Sequence, residues 1–91
     1  MATICKRVTY AGRVQGVGFR YTAQQLATGH PQVAGYVRNL PNRDVELVAE
    51  GPAEEVGVLL AELAERMARY IEHTTVRDEA PTGQRGFRVR H

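Results

Sequence analysis

Nine residues near the amino end, Gly12-Arg13-Val14-Gln15-Gly16-Val17-Gly18-Phe19-Arg20, have the types and spacing to hold an anion. They follow an extended segment and run directly into a helical pattern. Three glycines let the backbone double back and turn several N–H groups toward one point. Arg20 stands where the helix begins, and a helix N-terminus adds the positive end of its dipole. Amide nest, helix terminus and guanidinium fork together suit a tetrahedral oxyanion, above all phosphate. The stretch is not a Walker loop, because no Lys-Ser or Lys-Thr follows the glycines. Nor is it a dinucleotide fingerprint, because Tyr21 stands at the third glycine. A plain glycine-rich turn with a solvated arginine has the same spacing, so both readings stay open on this stretch alone.

Gly35-Tyr36-Val37-Arg38-Asn39 is the second candidate. Strand alternation puts Gly35, Val37 and Asn39 on one face. The Asn39 carboxamide can donate to and accept from a single water molecule. It can equally serve as a turn asparagine bonded to local backbone. Other polar residues read plainly. His30, His73 and His91 are too scattered to suggest a metal site and read as surface or turn residues. Glu46 and Glu50 share the solvent face of a strand and do not read as a catalytic pair. Glu62, Glu65, Arg66 and Arg69 read as a solvated helix face with i,i+4 pairing. Cys5, the single cysteine, reads as a small apolar strand residue; it excludes an internal disulfide and suits a reducing compartment. Tyr21 and Tyr36 either line the mouth of a site or pack.

The elements that would position these residues follow from hydrophobic period. Thr3 to Ala11 reads as a strand, with Ile4, Val8 and Tyr10 on one face and Lys6 interrupting it. Phe19, Ala23, Leu26 and Ala27 recur at helical spacing until Gly29 and Pro31. Val33 to Leu40 reads as a strand, Pro41-Asn42-Arg43-Asp44 as a hairpin turn, and Val45, Leu47 and Ala49 as the buried face of the next strand. Gly51-Pro52 opens a second helix, with Glu54 and Glu55 in its first turn and an apolar stripe of Val56, Leu59, Leu60, Leu63, Met67 and Tyr70. Ile71 to Arg77 is extended again, a turn follows near Ala80 to Gly83, and Phe87 and Val89 mark a last short strand. The predicted fold is α+β: a ferredoxin-like βαββαβ sandwich, its antiparallel sheet carrying both helices on one face, with an extra short C-terminal strand.

Composition agrees with one domain spanning residues 1–91. The chain has 43% hydrophobic and 24% charged residues, a net charge of +2 and a sequence pI of about 9.0. All but one of its basic residues are arginine, the side chain whose fixed fork suits phosphate. No apolar run is long enough for a membrane span, and no signal-peptide core precedes the first strand. A cytoplasmic protein with no membrane partner is expected.

The two motifs, in their order and separation, resemble the two signatures of the acylphosphatase family. The first is Gly12 to Arg20; the second is Gly35 to Asn39 with Val45-Glu46 and Gly51. The resemblance covers Lys6 to Val89. It implies hydrolysis of the carboxyl–phosphate bond of acyl phosphates to a carboxylate and inorganic phosphate. It further implies that Arg20 binds the phosphoryl group with backbone N–H groups of Gln15, Gly16, Val17, Gly18, Phe19 and Arg20, and that Asn39 holds the attacking water. No metal or cofactor is implied. The expected partners are a small-molecule acyl phosphate and inorganic phosphate as product and inhibitor, acting on a monomer. The chain departs from the family at Arg43, where the family usually has a turn glycine; Asn42, which tolerates the left-handed region, is expected to absorb the change. It departs again at His91, where an aromatic residue is common.

Two rival classes fare worse. A single-stranded nucleic-acid binder on the same sheet wants aromatic residues on adjacent central strands, and this chain has 7% aromatics and no such run, so no nucleic-acid partner is expected. An accessory phosphate-handling module of a larger maturation protein would come with further domains or zinc-finger cysteines.

Overall fold

The computed structural model describes residues 2–91. The chain forms β1 (Thr3–Gly12), α1 (Phe19–Ala27), β2 (Ala34–Asn39), β3 (Val45–Pro52), α2 (Ala53–Arg66), β4 (Ile71–Glu79) and β5 (Phe87–Arg90). The strands form a single sheet in the order β4-β1-β3-β2-β5. The alternating and helical periods therefore predict the elements to within a few residues.

Apolar faces meet between the sheet and the two helices. Val8 and Tyr10 of β1, Val37 of β2, and Val45, Leu47 and Ala49 of β3 face Phe19, Ala23 and Ala27 of α1 and Val56, Leu59 and Leu63 of α2 in one buried cluster. Each large aliphatic or aromatic member contributes roughly 1.5–3 kcal/mol by leaving water. Ile4, Leu26, Leu60 and Tyr70, expected in the same stripes, are only partly buried at its margin.

Four strands pair antiparallel, but β5 joins β2 in parallel, with Gly35 opposite Phe87 and Arg38 opposite Arg90. The expected antiparallel sheet is thus mixed at one edge. The cause is topological. β4 ends at Glu79, in the row that runs through Cys5, Glu50 and Ala34. To reach the far edge the chain must cross about 19 Å of sheet at that row. Residues 80–86 span about 25 Å when extended, enough to make the crossing. A strand that starts at that end can only run in the direction of β2.

The structure corrects the reading of Glu46 and Glu50 as solvent-facing: the crossing covers Glu50, and arginine side chains cover Glu46. Both are buried, at 7% and 6% exposure. Glu50 accepts hydrogen bonds from the backbone N–H groups of Thr82, Gly83 and Gln84 at 2.7, 2.8 and 3.1 Å. Those bonds, the Thr82 N–H first, outweigh burial and hold the Glu50 carboxyl below its ordinary value. Beside it, Cys5, Tyr36 and Val48 form a small second cluster. Glu46 accepts from Arg38 Nε at 2.8 Å and pairs with Arg7 Nη1 at 2.9 Å. Burial pushes its carboxyl up, but the two guanidinium groups outweigh that and hold it low.

Candidate active site

The Gly12–Arg20 segment is anchored at both ends. At the start, Arg13 N–H donates to the Tyr70 carbonyl at 2.9 Å, and Val14 is completely buried in the core. At the end, the Phe19 ring packs on Tyr10 with centroids 4.8 Å apart, tilted by 53°. Between the anchors, Gly16 and Gly18 adopt φ of 77° and 80°, a region that side-chain-bearing residues enter only with strain. A Cβ at either glycine would meet nothing within 4 Å, so both face open space.

Gly18 is the N-cap of α1, and no side chain caps that end. The first turn of α1 contains no acidic residue, whereas α2 begins with Glu54 and Glu55. The Thr22 N–H bonds to the Gly18 carbonyl at 2.9 Å; among the described residues, none of the N–H groups from Gln15 to Tyr21 donates in a turn or cap bond. The positive end of the helix is therefore left without an internal anion, the arrangement that favours an anionic ligand.

Asn39 closes β2, in register with Val45 of β3, which also pairs with Tyr10 of β1. It therefore lies at the end of the sheet from which the glycine loop departs, and alternation sets it on the side of the buried Val37. The loop and this hairpin are joined by Gln15. Its side-chain Nε2 donates to the carbonyls of Leu40 and Asp44, both at 2.9 Å. The Gln15 carboxamide thus bridges the glycine loop to the residue next to Asn39, a role that sequence alone did not reveal.

The hairpin corrects a second expectation. Arg43, not Asn42, takes the left-handed conformation, at φ 78°. The Asn42 Oδ1 accepts the Asp44 N–H at 3.1 Å, an Asx turn that fixes Asn42 and passes the left-handed position to the next residue. Leu40 N–H to Asp44 O at 2.8 Å and Arg43 N–H to Leu40 O at 3.1 Å complete the turn.

Arg20 is half-buried, and its Nη1 donates toward Nδ1 of His91 at 3.3 Å. Sequence reasoning missed this contact, because only the parallel docking of β5 carries the chain end back toward the Asn39 end of β2. The tyrosine alternatives separate. Tyr36 is buried on the helix-free face and donates to Glu46 at 3.2 Å, away from the side of Asn39. Tyr21 is 67% exposed on α1.

The other titratable groups serve the fold. His30 bridges Glu55 of α2 at 2.8 Å and Glu62 at 2.7 Å, so Glu62 turns to His30 rather than along its own helix. Hydrogen bonds that His30 donates to Glu55, then to Glu62, raise its pKa. The Cys5 thiol is buried, and burial, then Glu50, pushes its pKa up, which suppresses thiolate chemistry. Among the described residues, no group of three or more His, Cys, Asp or Glu side chains gathers to hold a metal ion, and no helix is long and apolar enough to cross a membrane.

Comparison with known proteins adds a separate line of support. Residues 6–89 match the acylphosphatase family model. The acylphosphatase of Thermus thermophilus is 44% identical over 80 residues, 86% of this chain and 89% of that protein. The acylphosphatase of Methanothrix thermoacetophila is 53% identical over 60 residues, covering 64% of this chain and 63% of that protein. The crystal structure of acylphosphatase from Bacillus subtilis superposes with a TM-score of 0.84 at 28% identity, over 97% of this chain and 99% of that one.

Proposed function

This chain belongs to the acylphosphatase family, and from that premise we propose that its glycine loop, Arg20 and Asn39 form the site at which an acyl phosphate is hydrolysed. The reaction splits the carboxyl–phosphate bond to a carboxylate and inorganic phosphate. Arg20 and the backbone N–H groups of Gln15, Gly16, Val17, Gly18, Phe19 and Arg20 bind the phosphoryl oxygens. Asn39 orients the attacking water through its carboxamide. The observation that carries this reading is the Gln15 bridge, which fixes the loop against the hairpin that bears Asn39.

The chemistry suits so small a set of residues. A carboxylate is a good leaving group and needs no strong general acid. As the water oxygen bonds to phosphorus, the bond to the acyl oxygen breaks and its electron pair leaves with the carboxylate. The proton lost by water passes to a phosphoryl oxygen, so no side-chain base is required. The transition state is loose, with charge spread over the equatorial oxygens. Donors fixed in advance by the fold then supply most of the catalysis, through positioning and electrostatics. The same reading takes residues 1–91 as one domain, acting as a cytoplasmic monomer on a small-molecule substrate, without metal, cofactor, nucleic acid or membrane.

Hydrolysis of benzoyl phosphate in excess chelator tests the assignment. Arg20→Gln loses charge and fork together, and its turnover is expected to fall by about 10²–10³-fold. Asn39→Ala is expected to lose turnover comparably while inorganic phosphate inhibits it as it does the parent. Parental turnover in either variant refutes the role given to that residue.

A further inference from the structure

Beside the glycine loop lies a cleft of about 470 Å³ lined by Gly12, Arg13, Val14, Gln15, Gly16 and Arg43. It has the size of a small-molecule site. Gln15 and Gly16 belong to the loop assigned to the phosphoryl group, so the cleft adjoins that group directly. Its two charged members are both arginines, and both are exposed. Among the described residues, neither forms an ion pair with a carboxylate. Asp44, next to Arg43 in sequence, is engaged by Asn42, whose Nδ2 donates to its Oδ2 at 3.2 Å.

Arg43 is also the one non-glycine residue with positive φ among the described residues. A bulky side chain in the left-handed region is strained, and such strain gathers at binding and catalytic positions. Here it holds a guanidinium at the rim of a cleft that contains no acid.

We propose that this cleft is a subsite for the acyl half of the substrate, and that Arg43, with Arg13 beside it, selects acyl phosphates whose acyl group carries a further carboxylate. The proposal rests on the phosphoryl group occupying the adjoining loop. A carboxylate held some distance from the carboxyl–phosphate bond meets the two guanidinium groups, while a neutral acyl group leaves them solvated. The attraction is partly exposed, so it is modest and screened by salt.

The test compares kcat/KM for 4-carboxybenzoyl phosphate with kcat/KM for benzoyl phosphate in the parent, Arg43→Gly, Arg43→Gln and Arg43→Lys. Taking the ratio of the two substrates within each protein cancels differences in leaving group and in folded fraction. The ratio is expected to be about five- to tenfold higher in the parent than in Arg43→Gly or Arg43→Gln, to be partly retained in Arg43→Lys, and to shrink as salt is raised toward 0.5 M. Equal ratios in the parent and Arg43→Gly, or a ratio indifferent to salt, overturn the proposal and leave the hydrolase assignment standing. A parent that does not hydrolyse benzoyl phosphate overturns both.

Discussion

Removal of the Gln15 carboxamide tests how the loop and the hairpin are kept in register. Gln15→Ala deletes two neutral N–H···O bonds, each 2.9 Å long, to the carbonyls of Leu40 and Asp44. Neither carbonyl is orphaned, because Leu40 O keeps the Arg43 N–H at 3.1 Å and Asp44 O keeps the Leu40 N–H at 2.8 Å. The stability loss is therefore that of two ordinary hydrogen bonds, about 1 kcal/mol each, without the larger penalty of a buried unpaired acceptor. Catalysis is expected to suffer more. The bridge joins residues 25 and 29 positions apart in the chain, and a 1 Å misplacement of a positioning group costs about 10²-fold. Benzoyl phosphate turnover should fall by at least about tenfold, while urea denaturation shows a loss of about 1–2 kcal/mol. Gln15→Met keeps the volume without the donors and should match Gln15→Ala in turnover. Gln15→Glu turns an anionic oxygen toward two carbonyls and the phosphoryl dianion and should be worse than either. Gln15→Ala with the expected stability loss but turnover within about twofold of the parent would show that the bridge holds the fold and not the site.

Two pH-dependent effects follow from the hydrogen bonds of His30 and Glu50. The His30 pKa is raised in the folded state, so its contribution is fully present below the unfolded value of about 6.5 and fades as pH rises through the folded value. His30→Ala should therefore destabilise by up to about 1 kcal/mol at pH 5.5 and by less at pH 9, measured by urea denaturation; an equal loss at both pH values rules out the charged bridge to Glu55 and Glu62. Glu50 shows the opposite sign. Its folded pKa is lowered, so its contribution is present above the unfolded value of about 4.3 and is lost as pH falls through the folded value. Glu50→Gln should cost about 2–3 kcal/mol at neutral pH, flatten the acid limb of the stability curve and speed hydrogen exchange at the amides of Thr82, Gly83 and Gln84; unchanged exchange there contradicts the anchoring role.

Residues whose constraints are local were legible in the sequence. The stripes of α1 and α2, the alternating face of Val45, Leu47 and Ala49, and the turn at the glycine loop each follow from local residue types. Gly16 and Gly18 were legible as the places where the backbone can turn back, and the structure puts both in the left-handed region. Features that depend on a distant segment were not legible. Alternation correctly set Glu46 and Glu50 opposite the helices, but Glu50 is covered by the crossing of residues 80–86 and Glu46 by Arg7 and Arg38, partners that sheet order brings in. His91 could not be set beside Arg20 until β5 had a direction. At the hairpin, Asn42 was the expected residue for positive φ, but the hydrogen bond from Asp44 N–H to its side chain passes that position to Arg43. In the candidate site the backbone seat was visible, but the Gln15 cross-link was not, because its acceptors are main-chain carbonyls that any residue could supply.

β5 covers the outer flank of the strand that ends in Asn39. Stripped of that cover, the main-chain donors and acceptors of β2 from Gly35 to Arg38 would be an open template for any stray extended segment, including one from a second molecule. Such a visitor would settle against the residue assigned to the water. Protection from self-association and integrity of the hydrolytic geometry thus depend on one short ribbon, Phe87–Arg90, held on a leash whose midpoint is the Glu50 carboxylate. Acid or a neutralising substitution on the far side of the sheet would loosen that leash first and reach the site from behind.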